Sequence, residues 1–242
     1  MIREVSIGDL KLTKGNALVC VPVSGTNKEE LTRAIEALNK ENFDFIEWRI
    51  DGLQENNFRE VYSFVKLSLY KIPLLITYRT KSEGGLGIAS AEEYENIIRA
   101  LIDLKPEAVD IELSSPYSRE LCDYAKTQGV TTVISYHNFK YTNEDAVILN
   151  KINEMKKTSA DVYKLALMPA SFQDTLRVLS LSLKINETDF PSVLISMGDL
   201  GKISRVACNQ TGTAFTFASS LKGSAPGQME AGFVKKILSE IK

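Results

Sequence analysis

Histidine occurs once in this chain of 242 residues, tryptophan once and cysteine three times. A single histidine with scattered acids makes no metal site by spacing, and it leaves one candidate, His137, for proton transfer by imidazole near neutral pH. Cys20, Cys122 and Cys208 are an odd and widely spaced set. They fit neither a disulfide framework nor a zinc site, and a reducing cytoplasm suits them. An excess of one charge is missing too, since 29 Lys and Arg stand against 31 Asp and Glu. The net charge of −2 offers no field for nucleic acid or anionic lipid, but leaves room for arginines gathered round a small anion. No run of about 18 apolar residues could span a bilayer, and Met1-Ile2-Arg3-Glu4 lacks the apolar stretch of a signal peptide. The expectation is a cytoplasmic protein with a small-molecule ligand and with neither nucleic acid nor membrane as partner.

A dinucleotide fingerprint is also lacking. No Gly-x-Gly-x-x-Gly follows the first strand candidate, and Gly84-Gly85-x-Gly87 comes only after the third. What is present is alternation. Runs rich in β-branched and aromatic residues recur at 17–23, 43–51, 73–79, 108–113, 131–139, 161–168, 192–197 and 214–218. Helical periodicity fills the gaps, as at 28–40, 91–104 and 143–157. Start signals agree: Thr26-Asn27-Lys28-Glu29 and Ser90-Ala91-Glu92-Glu93 pair a capping residue with a glutamate three on, and Thr142-Asn143-Glu144-Asp145 brings acids to a first turn. Gly129 sits where a helix should stop before the next strand. Eight βα units predict an α/β fold, a single (β/α)8 TIM barrel over residues 1–242. The alternating stretch 5–12 reads as an N-terminal β-hairpin closing the bottom of the barrel.

Barrel enzymes act at the C-terminal ends of their strands, so charges there are informative. The second strand ends Glu47-Trp48-Arg49-Ile50-Asp51; alternation puts Glu47 and Arg49 on one face and turns Trp48 and Ile50 toward the helices. The third ends at Arg79, with Glu83 four residues on, and the fourth gives Asp110-Ile111-Glu112. His137 ends the fifth, and Lys164 lies within the sixth among apolar neighbours. One inward charge is usually a structural ion pair, but a run of them near a packed interior is costly without a purpose. Desolvation of Lys164 favours the neutral amine that Schiff-base chemistry needs. A buried pair between Lys164 and Glu47 or Glu112, without chemistry, is the other reading of the same residues. Arg205 opens a seventh helix after Met197-Gly198-Asp199-Leu200-Gly201-Lys202, and Ser224-Ala225-Pro226-Gly227-Gln228 follows the eighth strand. Arg205, Ser224 and Gln228 suit a small carboxylate.

The ordered set resembles the type I 3-dehydroquinate dehydratase family, the Schiff-base dehydratases of the shikimate pathway of aromatic amino acid biosynthesis. It comprises Glu47-Trp48-Arg49-x-Asp51, Arg79-Thr80 with Glu83-Gly84-Gly85, Asp110-Ile111-Glu112, Ser135-Tyr136-His137-Asn138-Phe139, Lys164, Ser196-Met197-Gly198 leading to Ser204-Arg205, and Ser224-Ala225-Pro226-Gly227-Gln228. The resemblance implies an imine on Lys164, His137 as general acid and base, and Glu83 orienting the histidine. It implies Arg205, Gln228 and Ser224 on the substrate carboxylate, and Glu47, Arg49 and Arg79 on ring hydroxyls. Met197 and Phe217 would line the apolar side. No cofactor or metal is implied, and a homodimer is. The first strand, Leu18-Val19-Cys20-Val21-Pro22-Val23, has no hydroxyl where some family members place a serine near substrate. The glycine-bearing loop 83–87 and the loop before Gln228 are expected to close over substrate. Rival readings are a class I Schiff-base aldolase and a barrel that binds a carboxylic acid without turning it over.

Overall fold

The computed structural model describes residues 4–38, 42–54, 58–189, 191–220 and 227–241. Eight parallel strands follow one another round a barrel: β1 (Leu18–Ser24), β2 (Phe45–Arg49), β3 (Leu74–Thr77), β4 (Ala108–Glu112), β5 (Thr131–Asn138), β6 (Val162–Leu167), β7 (Ser192–Ser196) and β8 (Phe215–Phe217). From β1 to β7 each strand pairs with the next in sequence, and β8 pairs with β1. At the seam between β7 and β8, the Ala214 N–H donates to the Ser192 carbonyl at 2.9 Å.

Alternation along the strands sorts the core into two parts. Val19, Val21, Ile46, Trp48, Ile76, Val109, Ile111, Ile134, Leu165 and Leu194 face outward and pack with the helices. The opposite parity, Leu18, Cys20, Phe45, Leu75, Ala108, Val133, Val162, Val193 and Phe215, fills the lower barrel. Following that inward parity two residues at a time toward the C-terminal ends leads to Glu47 and Arg49, Thr77, Asp110 and Glu112, Ser135 and His137, Lys164, Met197 and Phe217. An apolar lower layer thus gives way to a charged upper one, each residue placed by the period of two.

The N-terminal hairpin pairs Ser6–Ile7 with Leu10–Lys11. Val5, Ile7 and Leu12 plug the lower core, and Thr131 Oγ1 donates to the Ser6 carbonyl at 2.8 Å.

The helices are α1 (Lys28–Glu36), α2 (Phe58–Leu69), α3 (Ala91–Ile102), α4 (Ser118–Gln128), α5 (Asp145–Lys156), α6 (Phe172–Thr188), α7 (Cys208–Thr211) and α8 (Ala231–Glu240). Ser90 and Glu93 form the expected capping box, and Gly129 ends α4 at a φ of 72°. Three expectations shift. The cap of α1 is Asn27, and its partner glutamate is Glu30, which reaches back to the Thr26 N–H; the helix stops at Glu36. α5 starts two residues late because Asn143 is held outside it, its side chain accepting from Asn138 and its carbonyl from Arg177. The seventh helix shrinks to a 3-10 segment (Asp199–Arg205) and one α turn, so Arg205 ends a helix where it was expected to open one. There, Ser204 Oγ donates to the Gly201 carbonyl and accepts from the Ser196 N–H, folding the segment back on β7.

Among the described residues, no helix is long and apolar enough to cross a membrane. All three cysteines are buried as free thiols.

Candidate active site

The charged layer floors a cavity of about 550 Å³ of non-atom space, open at its mouth and lined by Glu47, Arg49, Arg79, Glu83, His137, Phe139, Lys164, Met197, Arg205, Phe217 and Gln228, among others. Ten of the eleven residues expected from the sequence are therefore brought together. The eleventh, Ser224, lies outside the described residues, as does the loop 221–226 before Gln228.

Lys164 stands on the floor, its ammonium 4.4 Å from the centroid of the Phe217 ring. Nζ lies 3.1 Å from Asp110 Oδ2 and 3.4 Å from Glu47 Oε1. The buried pair expected with Glu47 is present, but its second carboxylate is Asp110 and not Glu112. Asp110 also accepts from Ser135 Oγ at 2.6 Å and Arg79 Nη2 at 2.7 Å. Burial opposes its ionisation, yet Arg79 and Lys164 hold its carboxyl well below the usual carboxylate range.

Arg79 is the hub. Nη1 reaches Ser135 Oγ at 3.0 Å, Glu112 Oε1 at 3.0 Å and Glu83 Oε2 at 3.4 Å. Burial alone would lower its pKa, but Asp110, Glu112 and Glu83 together raise it. Glu112 also accepts both the N–H and Oγ1 of Thr80, at 2.8 and 2.7 Å. Replacing Arg79 with methionine leaves three buried carboxylates without their shared cation. The expected cost is about 3–5 kcal/mol at neutral pH, read as a lower denaturant midpoint; an unchanged midpoint refutes this role.

Glu83 Oε2 accepts from the His137 backbone N–H at 3.2 Å and lies 2.9 Å from Nδ1. Its other oxygen accepts from Ser114 Oγ at 3.0 Å. Burial pushes the Glu83 carboxyl up to about 7 against the pull of Arg79. Burial, with Arg79 and then Lys164, depresses His137 well below its ordinary value, so the imidazole is neutral. With Glu83 ionised, Nδ1 carries the hydrogen and Nε2 keeps the lone pair, the form a general base requires.

The loop after β3 brings Glu83 to this position by close packing. A Cβ at Gly85 would stand 2.1 Å from the Arg79 carbonyl oxygen, and one at Gly84 2.3 Å from the Phe139 ring. The loop is tied by the Gly87 N–H to the Arg79 carbonyl and the Gly85 N–H to the Thr80 carbonyl, at 3.0 and 2.9 Å. Close contact with neighbouring groups thus demands glycine at both positions.

Arg205, which also lines the cavity, is buried, with Nη1 donating to the Phe217 carbonyl at 3.3 Å. Burial pulls its guanidinium down to about 10.

Several partners were not singled out from sequence. Ser135 and Thr77 share the inward parity, which could have found them; Thr77 Oγ1 donates to Glu47 Oε1 at 2.9 Å. Phe139, in the Ser135–Phe139 motif, stacks beside His137 with ring planes 19° apart. Ser114 lies past the end of β4, where no periodicity points to it. Among the described residues no group of three His, Cys, Asp or Glu side chains is placed to hold a metal ion.

An eight-stranded α/β barrel with a buried lysine and a histidine–carboxylate pair converging on one cavity at the strand ends defines a barrel enzyme. The chain belongs to the type I 3-dehydroquinase family, whose model matches residues 19–242. The 3-dehydroquinate dehydratase of Syntrophotalea carbinolica is 34% identical, with 98% of each chain covered. That of Clostridium kluyveri is 32% identical over 98% of this chain and 97% of its own. Among solved structures, the Clostridium difficile type I 3-dehydroquinate dehydratase with covalently modified comenic acid superposes with a TM-score of 0.92 at 28% identity, covering 99% of this chain and 98% of that one.

Proposed function

We propose that this chain dehydrates 3-dehydroquinate to 3-dehydroshikimate in the shikimate pathway, by syn elimination through an imine on Lys164. The observation that carries the reading is the approach of Lys164 and the His137–Glu83 pair to one cavity that Arg205 and Gln228 also line. Lys164, once deprotonated, adds through Nζ to the ketone carbon, and loss of water forms the imine. The imine draws electrons from the neighbouring carbon. His137 Nε2 takes a proton from that carbon and returns it to the hydroxyl one carbon further on, which leaves as water. Hydrolysis of the imine frees the product and the amine.

The substrate carboxylate meets Arg205 and Gln228, with Ser224 as a third partner. A carboxylate there offsets the burial that depresses the arginine. Glu47, Arg49 and Arg79 receive the ring hydroxyls, and Met197 and Phe217 supply the apolar wall. The chain acts as a single domain over residues 1–242, as a cytoplasmic homodimer and without a cofactor. Sedimentation of the purified protein tests the dimer.

The test is borohydride reduction with 3-dehydroquinate, followed by intact-mass and peptide mass spectrometry. A reduced adduct on Lys164 together with turnover supports the reading. Turnover with no adduct removes the imine, and an adduct formed with a phosphorylated ketose in place of 3-dehydroquinate favours an aldolase.

Glu83 sets an expected pH dependence. Its carboxyl, raised to about 7, is ionised above that pH and takes a proton below it. The neutral acid no longer favours the imidazolium that develops on His137, so kcat falls as pH drops through about 7. Glu83→Gln keeps the shape and is expected to cost roughly 10–100-fold in kcat while flattening that acid limb. A limb unchanged in the variant assigns it to another group. The stability sign follows from the same shift: the folded state holds a proton between the ordinary value of 4.5 and about 7 that the unfolded chain has released. This stabilisation is fully present below 4.5 and is lost as pH rises to about 7.

A further inference from the structure

Asp51 lies two residues past β2, and the reaction proposed above gives it no part. Its side chain is 3% exposed and receives bonds from three residues. Arg49 donates Nε to Oδ1 at 2.7 Å and Nη2 to Oδ2 at 2.8 Å, a bidentate pair. The Leu86 N–H donates to Oδ2 at 2.9 Å, and the Arg79 N–H reaches Oδ1 at 3.4 Å. Leu86 and Arg79 bracket Glu83 in the loop after β3. Burial opposes ionisation of Asp51, but Arg49 carries its carboxyl below the usual range.

Arg49 needs such a hold. Its side chain is 25% exposed and borders two spaces, the catalytic cavity and a neighbouring one of about 880 Å³ of non-atom space. Ser24, Thr26, Glu30 and Leu86 line the second space. Glu30 there is already engaged, accepting from the Thr26 N–H and Oγ1 at 2.8 and 2.9 Å. In the catalytic cavity the Glu47 carboxylate also attracts the guanidinium, so Arg49 has a second acid to turn to. Two parallel hydrogen bonds to one carboxylate fix both its position and its plane.

We propose that Asp51 is a positioning residue for substrate recognition, holding the Arg49 guanidinium at the rim of the catalytic cavity and tying it to the loop that carries Glu83. The groups that receive ring hydroxyls and the group that orients His137 then share one frame. The inference rests on the dehydratase reading of the site.

The test is Asp51→Asn, which keeps the side-chain shape but turns donor hydrogens toward its donors. The KM for 3-dehydroquinate is expected to rise about 10–100-fold, the loss falling on KM and leaving the acid limb set by Glu83 in place. In an Arg49→Ala background, Asp51→Asn adds no further rise, because the two act as one unit. Hydrogen exchange at the Leu86 amide is expected to quicken in the single variant. Independent, multiplying effects on KM overturn the proposal. So does a lowered Tm with KM unchanged, or loss of the acid limb together with kcat, which marks a collapsed loop. An unchanged Leu86 exchange rate overturns the tie to the loop. Absence of wild-type turnover overturns the dehydratase reading instead, and Leu86 exchange still decides whether Asp51 anchors the loop.

Discussion

Lys164→Ala is expected to lower kcat by roughly 10⁴–10⁶-fold, because it removes the group on which the covalent intermediate forms. Alanine also removes a buried cation. Asp110 keeps Arg79 and Ser135, but Glu47 is left with Thr77 alone of the bonds described above. Some loss of stability is therefore expected with the loss of activity, and alanine alone cannot separate them. Lys164→Arg separates them. An arginine keeps the positive charge between Glu47 and Asp110, and its guanidinium does not lose a proton to become a nucleophile. It should retain more of the wild-type melting temperature than alanine does, form no borohydride-trapped adduct, and turn over no faster than alanine. Appreciable turnover by the arginine variant removes the imine from the mechanism.

Much of this site was legible because strand parity is a rigid rule. Once Phe45, Leu75, Val133 and Val162 are recognised as inward, Glu47, Thr77, Ser135 and Lys164 follow by counting in twos. The lone histidine needed no pattern. What parity cannot supply is the pairing of one strand's charges with another's. Glu112 and Asp110 share a face of β4, and the register aligns Glu112 with Ser135 and Ser135 with Lys164, yet it is Asp110 that meets the lysine while Glu112 goes to Arg79 and Thr80. Loops were less legible still. Ser114 and Leu86 act through a hydroxyl and a backbone N–H, groups nearly every segment offers. The contacts that demand glycine at 84 and 85 are with the Phe139 ring and the Arg79 carbonyl, neighbours that the sequence does not place beside them. Arg205 was correctly placed near the seventh strand, but its helix shrank because Ser204 folds the segment back on β7.

His137→Ala is expected to cost about 10²–10⁴-fold in kcat, the usual range for a positioned acid–base group, and to change what accumulates. Lys164 keeps its contacts with Glu47 and Asp110 in this variant, since neither carboxylate is bonded to the imidazole. Imine formation can then proceed while proton removal and imine hydrolysis both slow. Covalent adduct should therefore build up on the enzyme and be seen by intact mass without borohydride, where the wild-type protein clears it. The pH profile adds a second readout. Glu83 loses the Nδ1 contact through which its charge reaches the reaction, so the acid limb near 7 should vanish from the residual activity. Because His137 is held neutral, its removal strips no charge from the core, and folding should be little affected beyond the space left by the ring. Wild-type turnover in His137→Ala dismisses it as the proton carrier. Slow turnover with no adduct places its role before imine formation, in delivering the lysine to the ketone.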